Sequence, residues 1–146
     1  MKISTKGRYA LRIIVDLARH DKDGLTTLKT LAERQDISKK YLEQIVPLLN
    51  KGGILITERG FGGGYRLAKS PDDITVADIL RLTEGSLEPV ACLDSNDPEF
   101  VCNRSSDCPT LPVWKGLSKV INDYLEGITI TDIINRSSEA GDDYVI

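Results

Sequence analysis

The sequence predicts a mainly α-helical fold with a small β-hairpin, followed by a long C-terminal helix. Apolar residues recur at helical spacing in the neighbouring segments 28–35 and 39–50, which only a tight turn separates. Two short apolar runs follow, joined by a glycine-rich stretch over residues 58–64, as in a hairpin. Further along, an apolar stripe over residues 113–126 ends at Gly127. Two short helices, a tight turn and a glycine-tipped hairpin are, in that order, the parts of a winged helix-turn-helix.

Hydroxyl side chains stand where the first three helices are expected to begin. Such side chains cap helices because their oxygens accept from backbone N–H groups of the first turn. We expect helices over residues 8–19, 28–35 and 39 to about 50, with N-caps at Thr5, Thr27 and Ser38. Pro47 lies well inside the third helix. Because proline removes a backbone donor and clashes with the preceding turn, we expect a kink or an early end there.

Shorter elements complete the first half. The hairpin strands are expected over residues 54–57 and 65–67. Thr75 and Asp78 resemble a capping box that opens a helix over residues 76–83, which Gly85 closes.

The chain divides into three parts on this pattern. Residues 1–85 are expected to form the winged helix-turn-helix domain. Residues 86–112 form an irregular segment that holds all three cysteines. Residues 113–146 hold the long helix, whose apolar stripe suits pairing with another subunit, then a short helix over 131–136 and a polar tail that ends in Tyr-Val-Ile.

Charge is divided unevenly between the two halves. Residues 1–70 hold 14 Lys and Arg against 7 Asp and Glu, a net charge of +7, whereas residues 71–146 hold 5 against 15, a net charge of −10. The overall net charge of −3 hides this difference. A basic half suits a polyanionic partner, while the acidic half keeps the molecule soluble or contacts something else.

Other classes of protein fit the sequence poorly. No apolar run approaches the roughly 20 residues of a membrane span, and no small-residue cleavage site follows the N-terminus. The odd number of cysteines, three, argues against a secreted disulfide framework. No Ser/His/Asp set or nucleotide loop supports an enzyme, including a redox enzyme that would use the cysteines. We therefore expect a cytoplasmic protein without a membrane partner, carrying reduced thiols or a metal site.

The predicted third helix carries polar residues suited to DNA. A recognition helix projects such side chains from its N-terminal part into the major groove. Lysines donate to phosphates, a tyrosine supplies a stacking ring, and glutamine can be bidentate to adenine. Glu43 is less expected, because phosphates repel a carboxylate unless it accepts from cytosine N4, and it would act by rejecting wrong bases. The candidate DNA-binding residues on this helix are Ser38, Lys39, Lys40, Tyr41, Glu43 and Gln44.

The hairpin tip adds a second candidate contact. Arg59 and Gly60 lie there beside further glycines, which keep the tip slim enough to enter a minor groove. An outward polar helix face is usually only solvated, but its combination with this tip favours DNA. The same glycines do not form a nucleotide loop, because Tyr65 stands where the last glycine of G-x-G-x-x-G belongs and the loop enters a strand.

Three motifs carry a resemblance to a known family: ISTKGRYA at 3–10, ISKKYLEQIV at 37–46 and RGFGGGYRL at 59–67. In this order, over nearly the whole chain, they resemble the Rrf2 family of winged-helix transcription regulators. The resemblance implies a homodimer whose long C-terminal helices pair, with two wings that reach a pseudo-palindromic operator in double-stranded DNA. In some members it also implies a [2Fe-2S] or [4Fe-4S] cluster in the loop before that helix. The positions that match family DNA contacts are Tyr41, Glu43, Gln44 and Arg59.

Three cysteines stand in the predicted irregular loop: Cys92, Cys102 and Cys108. Iron–sulfur clusters are held chiefly by thiolates. In the IscR-like branch of the family, a histidine ligand follows three residues after the last cysteine, but Leu111 stands there in this chain. In the NsrR-like branch, a carboxylate of the partner's first helix completes the cluster, but the matching residue is Arg8. The single histidine, His20, lies at the end of the first helix.

We expect a DNA-binding repressor that responds to a cluster, with [2Fe-2S] favoured, at the three-cysteine loop. The fourth ligand would be a solvent or small thiol, would be missing, or would come from the neighbouring carboxylates Asp94, Asp97, Glu99 and Asp107. A structural zinc site fits the sequence less well than a cluster, because such a site requires four protein ligands. Free or redox-active thiols remain open. So does a cluster-free, CymR-like regulator of cysteine and sulfur metabolism controlled by a protein partner, which the opening MKISTKGRY and the Tyr-Val-Ile end also resemble.

Overall fold

A computed structural model describes residues 1–99 and 102–142. The residues left out are 100, 101 and 143–146, so the end of the predicted tail lies outside the described residues. Short 3-10 turns occur at Asp21–Asp23, Pro71–Asp73 and Ala91–Leu93. The main elements are α1 Thr5–Arg19, α2 Leu28–Gln35, α3 Lys39–Lys51, β1 Leu55–Glu58, β2 Gly64–Leu67, α4 Val76–Glu84, α5 Leu111–Glu126 and α6 Ile130–Asp142.

The main core lies between the first four helices and the base of the hairpin. Its fully buried side chains come from every helix of this group and from α6, because each of these helices has one apolar face. Ile130, the first residue of α6, is 0% exposed in this core although it lies far along the chain. The largest fully buried side chains are Ile13, Ile14, Leu31, Leu42, Ile45, Leu49, Ile74, Ile79 and Ile130.

The two strands pair antiparallel. Leu55 opposes Leu67 at the base, where both side chains are buried, and Glu58 opposes Gly64 at the tip. Thr26, just before α2, pairs with Tyr65 through two backbone hydrogen bonds of 2.9 and 2.8 Å. The base of the hairpin is therefore anchored to the core and to the segment that leads into α2.

A smaller apolar cluster joins α4 to the chain around α5. Val76, Ala77 and Leu80 pack there with Leu87 and Ile128. Arg81 of α4 also donates to Asn122 of α5 at 2.7 Å and pairs with Glu126. One face of α5 is thus fixed against α4. Its other face leaves large apolar side chains exposed, namely Val113, Trp114, Leu117, Val120 and Tyr124.

Helix starts follow local capping chemistry. Thr27 and Ser38 cap α2 and α3, and the Thr75–Asp78 capping box is formed in both directions, all as predicted. The first N-cap was predicted wrongly: it is Ser4, whose hydroxyl accepts from the Gly7 N–H at 3.0 Å. Ser4 also donates its N–H and its hydroxyl to Glu84 of α4, a long-range contact that fixes this residue outside the helix.

Most helices are longer than predicted: α1 begins at Thr5 instead of residue 8, α5 begins at Leu111 instead of residue 113, and α6 runs on to Asp142 instead of residue 136. Of the two outcomes expected at Pro47, a kink or an early end, the early end is wrong, because α3 runs on to Lys51. Pro47 and Glu43 are exposed, so the Glu43 carbonyl that proline leaves without a backbone donor can be hydrated while Leu49 is still buried in the core. The last helix begins at Ile130, where a capping box of Thr129 and Asp132 opens it.

No helix in the described part of the chain is long and apolar enough to cross a membrane.

Candidate nucleic-acid interface

A tight turn sets the direction of α3 relative to α2. Asp36 takes the left-handed conformation (φ 53°, ψ 48°), and the Ile37 side chain is buried in the core. The Ser38 hydroxyl then accepts from the Tyr41 N–H at 3.1 Å and begins α3. Because Ile37 is anchored, the first turn of α3 has a fixed position in which polar side chains face solvent.

The structure exposes five of the six candidates on α3. Leu42, Ile45 and Leu49 occupy the core face. Neither lysine of the polar face takes part in an ion pair with any described residue, so both remain available to phosphates. The exposed candidates are Ser38, Lys39, Lys40, Glu43 and Gln44.

Tyr41 differs from the others because its ring is half-buried. It packs edge-on against Tyr9 of α1, with ring centroids 5.6 Å apart and planes at 85°. The Arg12 guanidinium lies 5.5 Å from the centroid of the Tyr9 ring. The ring expected to stack on DNA is therefore part of the packing between α1 and α3. A DNA contact of Tyr41 stays a prediction.

The tip of the hairpin presents both predicted wing residues. Arg59 and Gly60 are exposed, with the fully exposed Phe61 beside them. Gly60 has a φ of 100°, which side chains with a Cβ rarely adopt. A Cβ on Gly63 would lie 2.3 Å from the Glu58 carbonyl oxygen, so this tight turn requires glycine there.

A groove of about 640 Å³ separates α3 from the wing. Glu43 lines it on the α3 side, and Arg59 and Gly60 line it on the wing side. Across its floor, the Thr57 hydroxyl of β1 donates to Asn50 of α3 at 2.8 Å. The structure therefore brings three of the predicted residues to one groove. A hydrogen bond joins its two walls, α3 and the wing.

Asn50 and Thr57 are not among the predicted residues. They lie on different elements, and no local sequence pattern pairs an amide near the end of a helix with a hydroxyl on the following strand. Only the packing of the hairpin against α3 brings them together.

A buried carboxylate, also missed from the sequence, links α1 to the wing. The Asp16 side chain is 3% exposed and lies 2.6 Å from the Arg34 guanidinium. Its other oxygen accepts from the Gln35 amide at 2.7 Å. Arg34 also donates to the hydroxyl of Thr26 at 3.2 Å, the residue paired with the wing strand. This network orients α2 and the wing relative to α1.

The three predicted metal ligands do not meet in the described part of the chain. Cys92 is exposed in a 3-10 turn, and Cys102 and Cys108 are half-buried, all as free thiols. Within residues 1–99 and 102–142 no group of three His, Cys, Asp or Glu side chains is placed to hold a metal ion. Three thiolates suit iron–sulfur chemistry, but this arrangement within one chain does not fit a cluster.

Cys108 has the most distinctive thiol environment. Hydrogen bonding to Thr110, 3.4 Å from the sulfur, lowers the pKa of Cys108 below its ordinary value. The thiol lies just before α5, which begins at Leu111. His20 is held elsewhere, with its Nδ1 2.8 Å from the backbone oxygen of Asp16.

Comparison with known proteins agrees with this geometry. A family described as "Rrf2: Iron-dependent Transcriptional regulator" matches residues 3–136. The chain is 36% identical over 136 residues to the HTH-type transcriptional regulator IscR of Erwinia tasmaniensis, covering 93% of this chain and 80% of that protein. It is 35% identical over 145 residues to the HTH-type transcriptional regulator CymR of Bacillus subtilis, covering 99% and 98%.

A solved structure gives the same result. CymR, the global cysteine regulator of B. subtilis, superposes with a TM-score of 0.74 at 36% identity, covering 93% of this chain and 98% of that chain. These relatives are named as transcription regulators, not as enzymes. Because the family match spans nearly the whole chain and the fold is shared, this protein belongs to the Rrf2 family of transcription regulators.

Proposed function

We propose that this regulator is a homodimeric, sequence-specific DNA-binding repressor that reads its operator with α3 and the wing. The observation that carries the proposal is the groove in which Glu43 of α3 faces Arg59 and Gly60 of the wing. A recognition helix and a cationic wing tip on either side of one groove suit a major groove and the adjacent minor groove.

Each exposed side chain has a role in this proposal. Lys39 and Lys40 bind phosphates and fix the register of the protein on DNA. Gln44 pairs with adenine, and Glu43 accepts from cytosine N4. Arg59 enters the minor groove, where a narrow groove concentrates negative potential.

The exposed apolar face of α5 supports a homodimer. Val120 and Tyr124 are 65% and 63% exposed there, and contiguous apolar surface of this kind marks an interface. A second copy of α5 supplies a matching apolar face through a two-fold axis, and such a dimer reads a pseudo-palindrome. Since the proposed operator is chromosomal, we also propose a cytoplasmic location.

The three-cysteine loop is the proposed regulatory element. It leads directly into α5, so a change in the ligation or oxidation of Cys108 acts at the start of the helix that would pair the protomers. A [2Fe-2S] cluster is the proposed cofactor because three thiolates are present. Its ligands would have to come together differently from the described arrangement, so we derive no step through it.

A cluster-free regulator is the second candidate. Two observations favour it: the separated cysteines, and Leu111 in place of a histidine ligand. Regulation would then pass through redox-active thiols or a protein partner, as in the CymR-like alternative.

Selection from a random pool of DNA duplexes tests the DNA-binding proposal. The full chain should enrich a pseudo-palindromic sequence, and the enriched duplex should shift as a complex of two chains. A double substitution, Lys39→Gln with Lys40→Gln, should weaken this complex. The double substitution Lys115→Gln with Lys119→Gln on α5 removes the same charge outside the proposed interface with DNA and serves as the control. Failure to enrich any sequence would contradict sequence-specific binding.

Iron and sulfide analysis tests the regulatory element. Protein purified without oxygen should contain both, and serine at any one of the three cysteines should remove them, whereas His20→Ala should not. If both stay near zero even after reconstitution, the cluster-free candidate is the better account. DNA binding is measured on the same samples, so that the two parts of the proposal are judged separately.

A further inference from the structure

A second cleft, of about 330 Å³, lies along α1 and shares no lining residue with the groove between α3 and the wing. Its size is within the range of pockets that hold small molecules. We call it the arginine cleft, because three arginines line it together with apolar side chains, which we call its floor. The arginines are Arg8, Arg12 and Arg19, and the floor is formed by Leu11, Val15 and Ile133.

Helical spacing explains the shape of the cleft. Positions 8, 12, 15 and 19 follow each other at three or four residues, so their side chains form one stripe along α1. At 1.5 Å per residue, Arg8 and Arg19 are about 16 Å apart along the helix axis. Ile133 of α6 closes the side of the stripe. The cleft is therefore an elongated trough with cationic groups along its length.

The three arginines keep their positive charge available. Within the described residues none of them pairs with a carboxylate, and their hydrogen bonds go to neutral groups. Arg12 donates to the side chain and backbone oxygens of Gln35 at 3.2 and 3.0 Å. Arg8 donates to the Thr5 hydroxyl, and Arg19 to that of Ser137.

One carboxylate lies in the wall of the cleft, and it is already neutralised. Asp16 pairs with Arg34 at 2.6 Å and accepts from Gln35. The His20 ring is a further neighbour, 3.6 Å from the same carboxylate oxygen that Arg34 contacts. The charge that the cleft offers to a ligand is therefore positive.

We propose that the arginine cleft binds a small organic anion, a carboxylate on an apolar body. Guanidinium groups bind carboxylates through paired, charge-assisted hydrogen bonds. The half-buried floor of Leu11, Val15 and Ile133 gains free energy only from a ligand with apolar surface to bury. A DNA phosphate would use the arginines but not this floor, which is why an organic ligand is the better fit.

Benzoate and benzamide are matched probes for this site, because they share a shape and differ in charge. Either is titrated into isotopically labelled full-length protein up to about 10 mM, a range that detects weak fragment binding. Benzoate should shift the amide resonances of α1 and of Ile133 in a saturable way, and benzamide should not. Equal shifts from both, or benzoate shifts confined to α5, would overturn the proposal.

Substitutions in the cleft separate charge from folding. Arg12→Gln should weaken benzoate binding at least tenfold, and Arg12→Lys, which keeps the charge but not the paired donors, should restore part of it. Lys22→Gln removes the same charge just beyond α1, outside the cleft, and should have no effect. Val15→Phe fills the floor without changing charge and should also weaken binding.

The amide spectrum of each variant reports whether it is folded. Unchanged benzoate binding in folded Arg12→Gln would overturn the proposal. So would the absence of benzoate binding together with loss of non-specific DNA affinity in Arg12→Gln, since that result assigns the stripe to phosphate contact.

Discussion

Arg59 lies at the tip of the wing, where its substitution should leave the fold intact. It is exposed at the tip and contributes nothing to the buried core. We expect Arg59→Ala to weaken operator binding by roughly 1–3 kcal/mol, the worth of a good groove contact, while the melting temperature stays unchanged. Fluorescence anisotropy with the selected operator measures the affinity.

Arg104→Ala is the matched control for Arg59. It removes the same exposed side chain from the cysteine loop, outside the DNA-binding half. An Arg59 variant that binds operator as tightly as the control would remove the wing tip from the interface.

Glu43 should govern selectivity more than affinity. Its carboxylate is exposed in the groove beside Arg59, where phosphates would repel it. Glu43→Ala should therefore let the protein accept substituted operators while its affinity for the best site changes little. Binding to a set of single-base operator variants measures this, with Glu33→Ala on α2 as the control. A uniform loss of binding to every sequence would show that Glu43 contributes affinity instead.

At the scale of single residues, the features that could be predicted from the sequence are those that depend on residues close by in the chain, such as helix caps. Ser38 caps α3 because its hydroxyl reaches an N–H only three residues on. The Tyr41 ring could not be placed, because its neighbour Tyr9 lies on another helix. The Asp16 network was missed for the same reason: Arg34 and Gln35 come to this carboxylate only when α2 packs on α1.

At the scale of elements, the wing depends on its link to α3. The hydrogen bond from Thr57 to Asn50 joins the two walls of the groove. Thr57→Val keeps the shape of the side chain and its preference for a strand but removes this bond. We expect operator affinity to fall about fivefold, in line with roughly 1 kcal/mol for one hydrogen bond.

The affinity loss in Thr57→Val should come with greater motion of the wing. Amide relaxation of residues 58–64 measures that motion, and Ser105→Ala, which removes an exposed hydroxyl outside residues 1–85, provides a control. Full affinity in Thr57→Val would mean that the buried base of the hairpin orients the wing without this bond.

Helix α5 should fail to pair when its exposed face carries a charge. Val120 is 65% exposed on the single chain, so Val120→Asp should leave the protomer folded. An unpaired charge buried in an apolar interface is costly, and we expect monomers at micromolar concentration by sedimentation. Lys115→Asp, on the same helix but outside the apolar set, is the control. A Val120→Asp dimer as stable as the control would place the interface elsewhere.

Comparing the predicted and observed bounds of the helices shows which boundaries local sequence patterns can predict. The prediction of α2 was confirmed to the residue because its cap and its apolar face both lie within it. At Pro47 a kink or an early end was predicted, and the early end was wrong because core packing of Leu49 outweighs one lost backbone hydrogen bond. The start of α6 was missed by one residue although Thr129 and Asp132 repeat the pattern recognised at Thr75 and Asp78.

At the scale of the whole molecule, the difference in net charge between the two halves should determine how strongly DNA affinity depends on salt concentration. The basic half, with a net charge of +7, must displace counterions from DNA. Operator affinity should therefore fall steeply between about 50 and 200 mM salt, with a slope set by the number of phosphates contacted. Binding that is flat over this range would contradict an interface built on phosphates.

The fold class and the family were both predictable from the sequence, and both were confirmed. Each helix, the turn and the glycine-tipped hairpin is determined by residues close together in the sequence, so their order can be predicted from the sequence. The relative positions of the cysteines are not set locally, because the sequence between Cys92 and Cys108 has no apolar periodicity that would fix its path.

The burial of Ile130 also affects the order in which the DNA-binding domain can be completed during synthesis. This side chain fills the core formed by α1, α3 and α4, and its N–H donates to the Ile74 carbonyl at 2.9 Å. A chain emerging from the ribosome therefore cannot complete the core of its winged helix-turn-helix domain until α5 has also been synthesised. We therefore expect the nascent protein to complete its DNA-binding domain only when the helix proposed for pairing is already present.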